Sequence, residues 1–172
     1  GIEHPKVLRY NEVLRDKKPV GQRVAIIGAG GIGVDVCEYL LQDPDMSLEA
    51  WCAEWGVDPT GNSPGGLRTP HAEKPRRTIT MLQRSEGAKK MGSGPGKTTG
   101  WVHRATLKAK KVEMIGGVSY RHFDDAGLHV QINDQPRVLE VDNLVICAGQ
   151  EPNRALADQL TALGVPVHVI GG

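Results

Sequence analysis

Apolar positions along the chain fall into short β-branched runs separated by stretches with helical spacing. Val24-Ala25-Ile26-Ile27 is one such run, suited to a strand buried on both faces. Gly28 to Gly33 follows directly. Val34, Cys37, Tyr39, Leu40 and Leu41 then give one face of a helix. Thr78 to Gln83 predicts a second strand, Trp101 to Lys110 a helix, and Val112 to Ile115 a third strand. Val118 to Phe123, Gly127 to Asn133 and Pro136 to Glu140 predict antiparallel strands, joined by turns at Asp124-Asp125-Ala126-Gly127 and Asn133-Asp134-Gln135. Leu144 to Gly149 is a last buried strand ending in Gly, and Ala155 to Leu163 a helix. Ahead of all these, Val7 to Arg15 predicts a short helix, broken at Lys17-Lys18-Pro19-Val20-Gly21.

This order predicts an α/β chain: a Rossmann-like three-layer nucleotide-binding domain, with a central parallel sheet, right-handed crossovers and an antiparallel β-meander. The expected organisation is a connector over 1–22, a nucleotide-binding domain over 23–149 and a return segment over 150–172. Within the domain, residues 43–77 are rich in Pro, Gly and charge and read as an insertion. Trp51 and Trp55, four residues apart, share a helical face and are expected to pack that insertion onto the domain. The chain starts Gly1-Ile2-Glu3 and stops in the apolar run Val167 to Gly172, so it reads as a fragment.

Composition narrows the class. The chain holds 22 Gly in 172 residues and only seven aromatics, against ~7% Gly in average usage. The glycines have no period of three, which excludes collagen. The 39% hydrophobic share excludes a disordered chain. No apolar run approaches the ~20 residues of a membrane span, and no signal peptide is visible, so a cytoplasmic protein without a membrane partner is expected. Cys37, Cys52 and Cys147 are far apart, with no CxxC, so neither zinc nor an iron–sulfur cluster is expected in this chain. Cys37 and Cys147 read as small core residues. The six histidines are scattered and none accompanies a recognisable nucleophile, so no catalytic residue is assigned.

Gly is costly inside regular elements, so an excess marks tight turns or close approach to a ligand. Gly28-Ala29-Gly30-Gly31-Ile32-Gly33 matches GxGxxG, and it follows a predicted strand and opens a predicted helix. In a dinucleotide site Gly28 allows the turn, Gly30 lets backbone approach the pyrophosphate, and Gly33 lets helix and strand pack closely. The helix N-terminus offers unpaired N–H groups and partial positive charge to phosphate. A Gly-rich strand-to-helix turn without a ligand is the plainer alternative.

The second strand reports which nucleotide. NAD and FAD sites usually end it with a carboxylate for the ribose hydroxyls. Here it ends Leu82-Gln83-Arg84-Ser85, with Arg84 placed to fork onto a 2′-phosphate. The formal charge is +1, yet residues 68–111 hold twelve Lys and Arg against Glu73 and Glu86 alone. That basic segment attracts polyanions, and NADPH is favoured. Nucleic acid is disfavoured because few aromatics are available for stacking. A solvated basic loop is the bland option.

Gly92 to Trp101 invites a P-loop reading, but counting back from Gly96-Lys97-Thr98 puts Met91 where the first Gly must be. ATPase or kinase activity is therefore rejected. The loop is expected to cover part of a dinucleotide, with Thr98, Thr99 and the Gly100 amide as polar contacts. Trp101 either packs on a ligand ring or fills the core.

These residues carry a resemblance. The chain resembles the NADPH-binding region of bacterial 2,4-dienoyl-CoA reductases of the iron–sulfur flavoprotein type, relatives of trimethylamine dehydrogenase and the old yellow enzyme-related reductases. The matching stretches are His4-Pro5-Lys6-Val7-Leu8, Arg23 to Val34, Glu54-Trp55-Gly56-Val57-Asp58, Leu82-Gln83-Arg84, Gly96-Lys97-Thr98-Thr99-Gly100-Trp101 and Val145 to Arg154. The resemblance implies a parent with FMN on a barrel domain, a [4Fe–4S] cluster, and a split FAD domain holding this NADPH domain. Electrons would pass from NADPH to FAD, through the cluster to FMN, and on to a dienoyl-CoA of unsaturated fatty acid β-oxidation. The 2′-phosphate role falls on Arg84, with Ser85 where a second basic residue would be favourable. Lys97, Thr98, Thr99, Gly100 and Trp101 match the nucleotide-contact loop. Ala148-Gly149-Gln150 and Gly171-Gly172 match the crossings to the FAD domain, the rest of the parent being the expected partner. The chain alone is expected not to turn over a dienoyl-CoA. Two alternatives stay open: the pyridine-nucleotide domain of another two-dinucleotide flavoprotein, such as a glutamate synthase small subunit or a disulfide reductase, and a nucleotide-free interaction domain.

Overall fold

The computed structural model describes residues 1–71, 73–86 and 98–170. Its centre is a parallel sheet of β1 (Val7–Arg9), β8 (Asn143–Ile146), β2 (Arg23–Ile27), β3 (Thr78–Leu82) and β4 (Glu113–Ile115), in the spatial order β1-β8-β2-β3-β4. β2 pairs with β3 from Arg23↔Thr78 to Ile27↔Leu82, and with β8 from Val24↔Asn143 to Ile27↔Ile146. Helices α1 (Tyr10–Leu14), α2 (Gly31–Leu41) and α4 (Gly100–Ala109) cover one face. There Val13, Val34, Val36, Cys37, Leu40 and Leu107 pack on Val24, Ile26, Ile79, Met81 and Val145.

A second, antiparallel sheet of β5 (Val118–Asp124), β6 (Gly127–Ile132) and β7 (Gln135–Leu139) covers the other face. Val118, Phe123, Leu128, Val130 and Leu139 close on Ala25, Leu82 and Leu144. Asn133 and Asp134 turn the β6–β7 hairpin with φ of 49° and 62°, the left-handed pair a two-residue type I′ turn requires. The three-layer α/β architecture read from the sequence is thus the observed one. No described helix is long and apolar enough to cross a membrane.

One element differs. Val7–Arg9 is a strand, not the first turn of a helix, because Val7, Leu8 and Arg9 pair in parallel with Leu144, Val145 and Ile146. Pairing and the burial of Leu8 override the weak local helical pattern, and α1 starts only at Tyr10. The Glu12 carboxylate accepts from the Arg9 N–H at 2.7 Å at that start.

The insertion carries α3 (Leu48–Trp55), capped by Ser47 Oγ, which accepts from the Ala50 N–H at 3.1 Å. Beyond it, Asp58 is buried and gathers the loop. Its carboxylate accepts from Thr60 Oγ1 at 2.7 Å, from the Thr60 and Ser63 N–H groups at 3.0 and 2.8 Å, and from the Arg68 guanidinium. These hydrogen bonds, from Thr60 first and then Ser63, hold the Asp58 carboxyl well below the usual carboxylate range. Cys52 is the residue of α3 that is buried, and a nearly buried Glu54–Lys110 ion pair ties the helix to α4. Trp51 and Trp55 stay 45% and 41% exposed, their rings 6.2 Å apart. They edge the groove between the insertion, α2 and α4 rather than plugging into the core.

Candidate nucleotide site

The carboxyl ends of β2, β3 and β8 open on one edge of the sheet. Chain order reverses at β2, which leads to β3 on one side while β8 returns on the other. Such a reversal leaves a crevice outside the strand ends, the usual ligand position in open α/β sheets. The Gly28–Gly33 turn fills it. Gly28 has φ +109°, and a Cβ there would lie 2.8 Å from the Cys147 carbonyl oxygen. A Cβ on Gly33 would meet the Gly28 oxygen at 1.9 Å. Both glycines are required by the fold itself. Gly30 is not: its φ is −79°, and a Cβ there meets nothing within 4 Å. Gly31 likewise faces open space.

The first turn of α2 points its N–H groups into that space. Val34 N donates to the Gly30 oxygen at 3.1 Å, while Gly31, Ile32 and Gly33 donate to no carbonyl among the described residues. No acidic side chain stands in that turn. The arrangement suits an anion.

Several of the expected residues converge here. Gly28 N donates to the Leu82 oxygen at 2.9 Å, which places Arg84 just beyond the Gly turn. Arg84 and Ser85 are exposed. Gln83 N–H donates to the Ile115 oxygen at 3.0 Å, and Val118 N–H to the Gln83 oxygen at 3.0 Å, so the backbone that carries Arg84 is fixed. The Tyr120 hydroxyl is buried without a partner among the described residues, and burial pushes it up to about 12 against the opposing charge of Arg84. On the β8 side, a Cβ on Gly28 would lie 3.3 Å from that of Ala148; Ala148, Gly149 and Gln150 are exposed, and Gly149 has φ +82°.

α4 contributes a second N-terminus. Thr99 caps it through its backbone only, and Thr98 and Thr99 are exposed. Gly100 is buried, whereas Trp101 is 65% exposed, so the core-filling option for this Trp does not hold. His103 Nδ1 lies 2.9 Å from Glu38 and ties α4 to α2. Lys97, Gly171 and Gly172 lie outside the described residues, as do Lys89 and Lys90. All three cysteines are free and buried. Burial raises Cys147 to about 12 and pushes Cys37 up as well, which fits core thiols rather than nucleophiles.

The histidine pattern was incomplete. His122 and His129, opposite each other in β5 and β6, stack with ring centroids 4.0 Å apart. His129 Nε2 lies 2.9 Å from one Asp124 carboxylate oxygen and His122 Nε2 3.4 Å from the other. The hydrogen bond from His129 is the chief cause that holds Asp124 below the usual carboxylate range. Only the strand register brings these three residues together, so spacing along the chain does not reveal them.

Fold and site together define a dinucleotide-binding domain of the oxidoreductase type. The sequence profile of the pyridine nucleotide-disulphide oxidoreductase family matches residues 2–172, and the chain belongs to that family of flavin- and NAD(P)-binding oxidoreductases. Among solved structures it is similar to a 2-naphthoyl-CoA reductase in complex with 2-naphthoyl-CoA, at 18% identity and a TM-score of 0.61, covering 92% of this chain and 19% of that one. It is also similar to the 6-hydroxypseudooxynicotine amine oxidase of Pseudomonas geniculata N1, at 14% identity and a TM-score of 0.62, covering 95% and 20%. An engineered water-forming NADPH oxidase bound to NADPH matches at 20% identity and a TM-score of 0.50, covering 92% and 29%. The chain thus spans about a fifth of the length of the first two.

Proposed function

We propose that this chain is the NADPH-binding module of a larger flavoprotein that reduces the conjugated double bonds of a 2,4-dienoyl-CoA. The observation that carries the nucleotide choice is Arg84. It follows β3, where a carboxylate would serve NAD, and hydrogen bonding between Gly28 and Leu82 sets it beside the Gly turn. The engineered NADPH oxidase includes, among its substitutions, an Asp-Ala-Met run changed to Ala-Arg-Ser; this chain has the same Arg-Ser pair in Gln83-Arg84-Ser85.

NADPH supplies a hydride when bound. The α2 amides of Gly31 to Gly33 would hold its pyrophosphate, Gly30 would let backbone approach, and Arg84 with Ser85 would hold the 2′-phosphate. Thr98, Thr99 and the start of α4 would border the rest of the nucleotide. FAD, FMN and a [4Fe–4S] cluster belong, in this proposal, to the remainder of the parent chain. That remainder would cover the return segment through Ala148-Gly149-Gln150. Along this segment Leu156, Leu163 and Val169 are exposed, and Ile170 is 92% exposed. Such a line of apolar side chains fits a covering domain. Support for the acyl-CoA substrate class is the similarity to a reductase in complex with 2-naphthoyl-CoA.

The test is cofactor analysis of the full-length gene product. FAD and FMN together with iron support the proposal. FAD alone, without FMN or iron, moves the chain to another two-dinucleotide reductase. Absence of any nucleotide binding in that product leaves an interaction domain.

A further inference from the structure

The outer face of the antiparallel sheet carries a cluster that the nucleotide site does not use. His122 and Asp124 are two residues apart on β5 and share that face, while His129 stands opposite His122 on β6. A register shift between Tyr120 and His122 makes this possible. It lets Tyr120 and Phe123 both pack inward, against the core shared with the parallel sheet, and turns His122 and Asp124 out.

We propose that His122, Asp124 and His129 form a binding site for a borderline divalent transition-metal ion, zinc(II) foremost. Their ligand atoms all lie within 4.8 Å of one another. Atoms sharing a tetrahedral zinc at bond lengths of 2.0–2.1 Å lie about 3.3 Å apart. Rotation of partly exposed imidazoles supplies the difference. Both histidines present Nε2 to the same carboxylate, and the two imidazoles stack at 15° between planes. Asp124 is anchored as well, since the oxygen that faces His129 also accepts from the Ala126 N–H at 3.0 Å. A supporting hydrogen bond of this kind orients a ligating carboxylate. Two imidazoles and one carboxylate suit zinc, copper or nickel rather than magnesium or calcium, and three protein ligands leave positions for water.

The site is separate from the nucleotide crevice. The β5–β6 turn lies against the segment preceding β1, where Lys6 Nζ donates to the Asp125 oxygen at 3.4 Å and His4 Nε2 lies 3.2 Å from Asp125. That is the opposite edge of the parallel sheet from the Gly turn.

The test is calorimetric titration of the 172-residue chain with zinc chloride and, separately, nickel chloride, with the melting temperature followed in parallel. One ion per chain should bind, and zinc should raise the melting temperature. His122→Gln, at an exposed position, and Asp124→Asn, at a half-buried one, should each weaken binding at least tenfold while the metal-free melting temperature holds. His129→Ala should abolish saturable binding, and His103→Ala should leave it intact. Absence of saturable binding, or equal affinity in His122→Gln, Asp124→Asn and the parent chain, would overturn the proposal.

Discussion

The two edges of the parallel sheet are finished in opposite ways. At the amino ends of the strands three side chains tie up the backbone. Asp142 accepts from the Gln22 and Arg23 N–H groups at 2.9 and 2.8 Å and pairs with the Arg23 guanidinium. Asn143 accepts from the Gly21 N–H and donates to the Lys6 oxygen. Arg77 donates to the Gly21, Leu40 and Val20 oxygens. At the carboxyl ends, α2 opens without a side-chain cap, Gly30 and Gly31 face empty space, and Arg84 and Trp101 stand exposed. The first N–H groups of any helix lack intrahelical partners, and at α2 no side chain takes their place. The open edge is the one we propose for recognition, and the closed edge is the one that stabilises the sheet.

The largest effect separates two glycines three residues apart. Gly33→Val should drive α2 off β2, costing about 3 kcal/mol or more, because its Cβ meets a backbone oxygen rather than a side chain that can move. Gly30→Ala should leave the unfolding free energy within about 0.5 kcal/mol of the parent and lower nucleotide affinity. Equal destabilisation by both would break the distinction between a fold glycine and a ligand glycine. Next, Arg77→Ala on the closed edge should cost about 2–3 kcal/mol by urea denaturation, since it strips charged donors from partly buried carbonyls.

Acid should act on the closed edge too. The Arg23 backbone N–H, followed by its guanidinium, holds the Asp142 carboxyl below the usual carboxylate range. A lowered carboxyl contributes its full stability above the unfolded value of about 4 and loses it as pH falls through the folded value. The parent's melting temperature should therefore fall more steeply below about pH 4 than that of Asp142→Asn. The smallest effect is expected on the open edge, where Trp101→Ala should change stability by less than about 0.5 kcal/mol while weakening nucleotide binding.

Much of this contrast was legible in the sequence, for uneven reasons. The Gly turn was readable because strand, motif and helix are contiguous. The meander was readable because alternation and turn residues are local signals. β1 was not, since three residues have no periodicity of their own and their partner β8 lies more than 130 residues away. The part of Trp51 and Trp55 was overread: helical spacing places them on one face but says nothing of what that face meets. His122, Asp124 and His129 escaped because a cross-strand pair and a bulge, not a spacing rule, unite them.

In the proposed function, Arg84 would make the open edge an NADPH site rather than an NADH site. The most direct measurement is calorimetric titration of the chain and of Arg84→Ala with NADPH and with NADH. NADPH should bind the parent more tightly than NADH, and Arg84→Ala should lower NADPH affinity by about ten- to a hundredfold, the worth of a charged hydrogen bond to phosphate, with NADH affinity unchanged. Equal affinity for the two nucleotides, untouched by Arg84→Ala, would contradict the account.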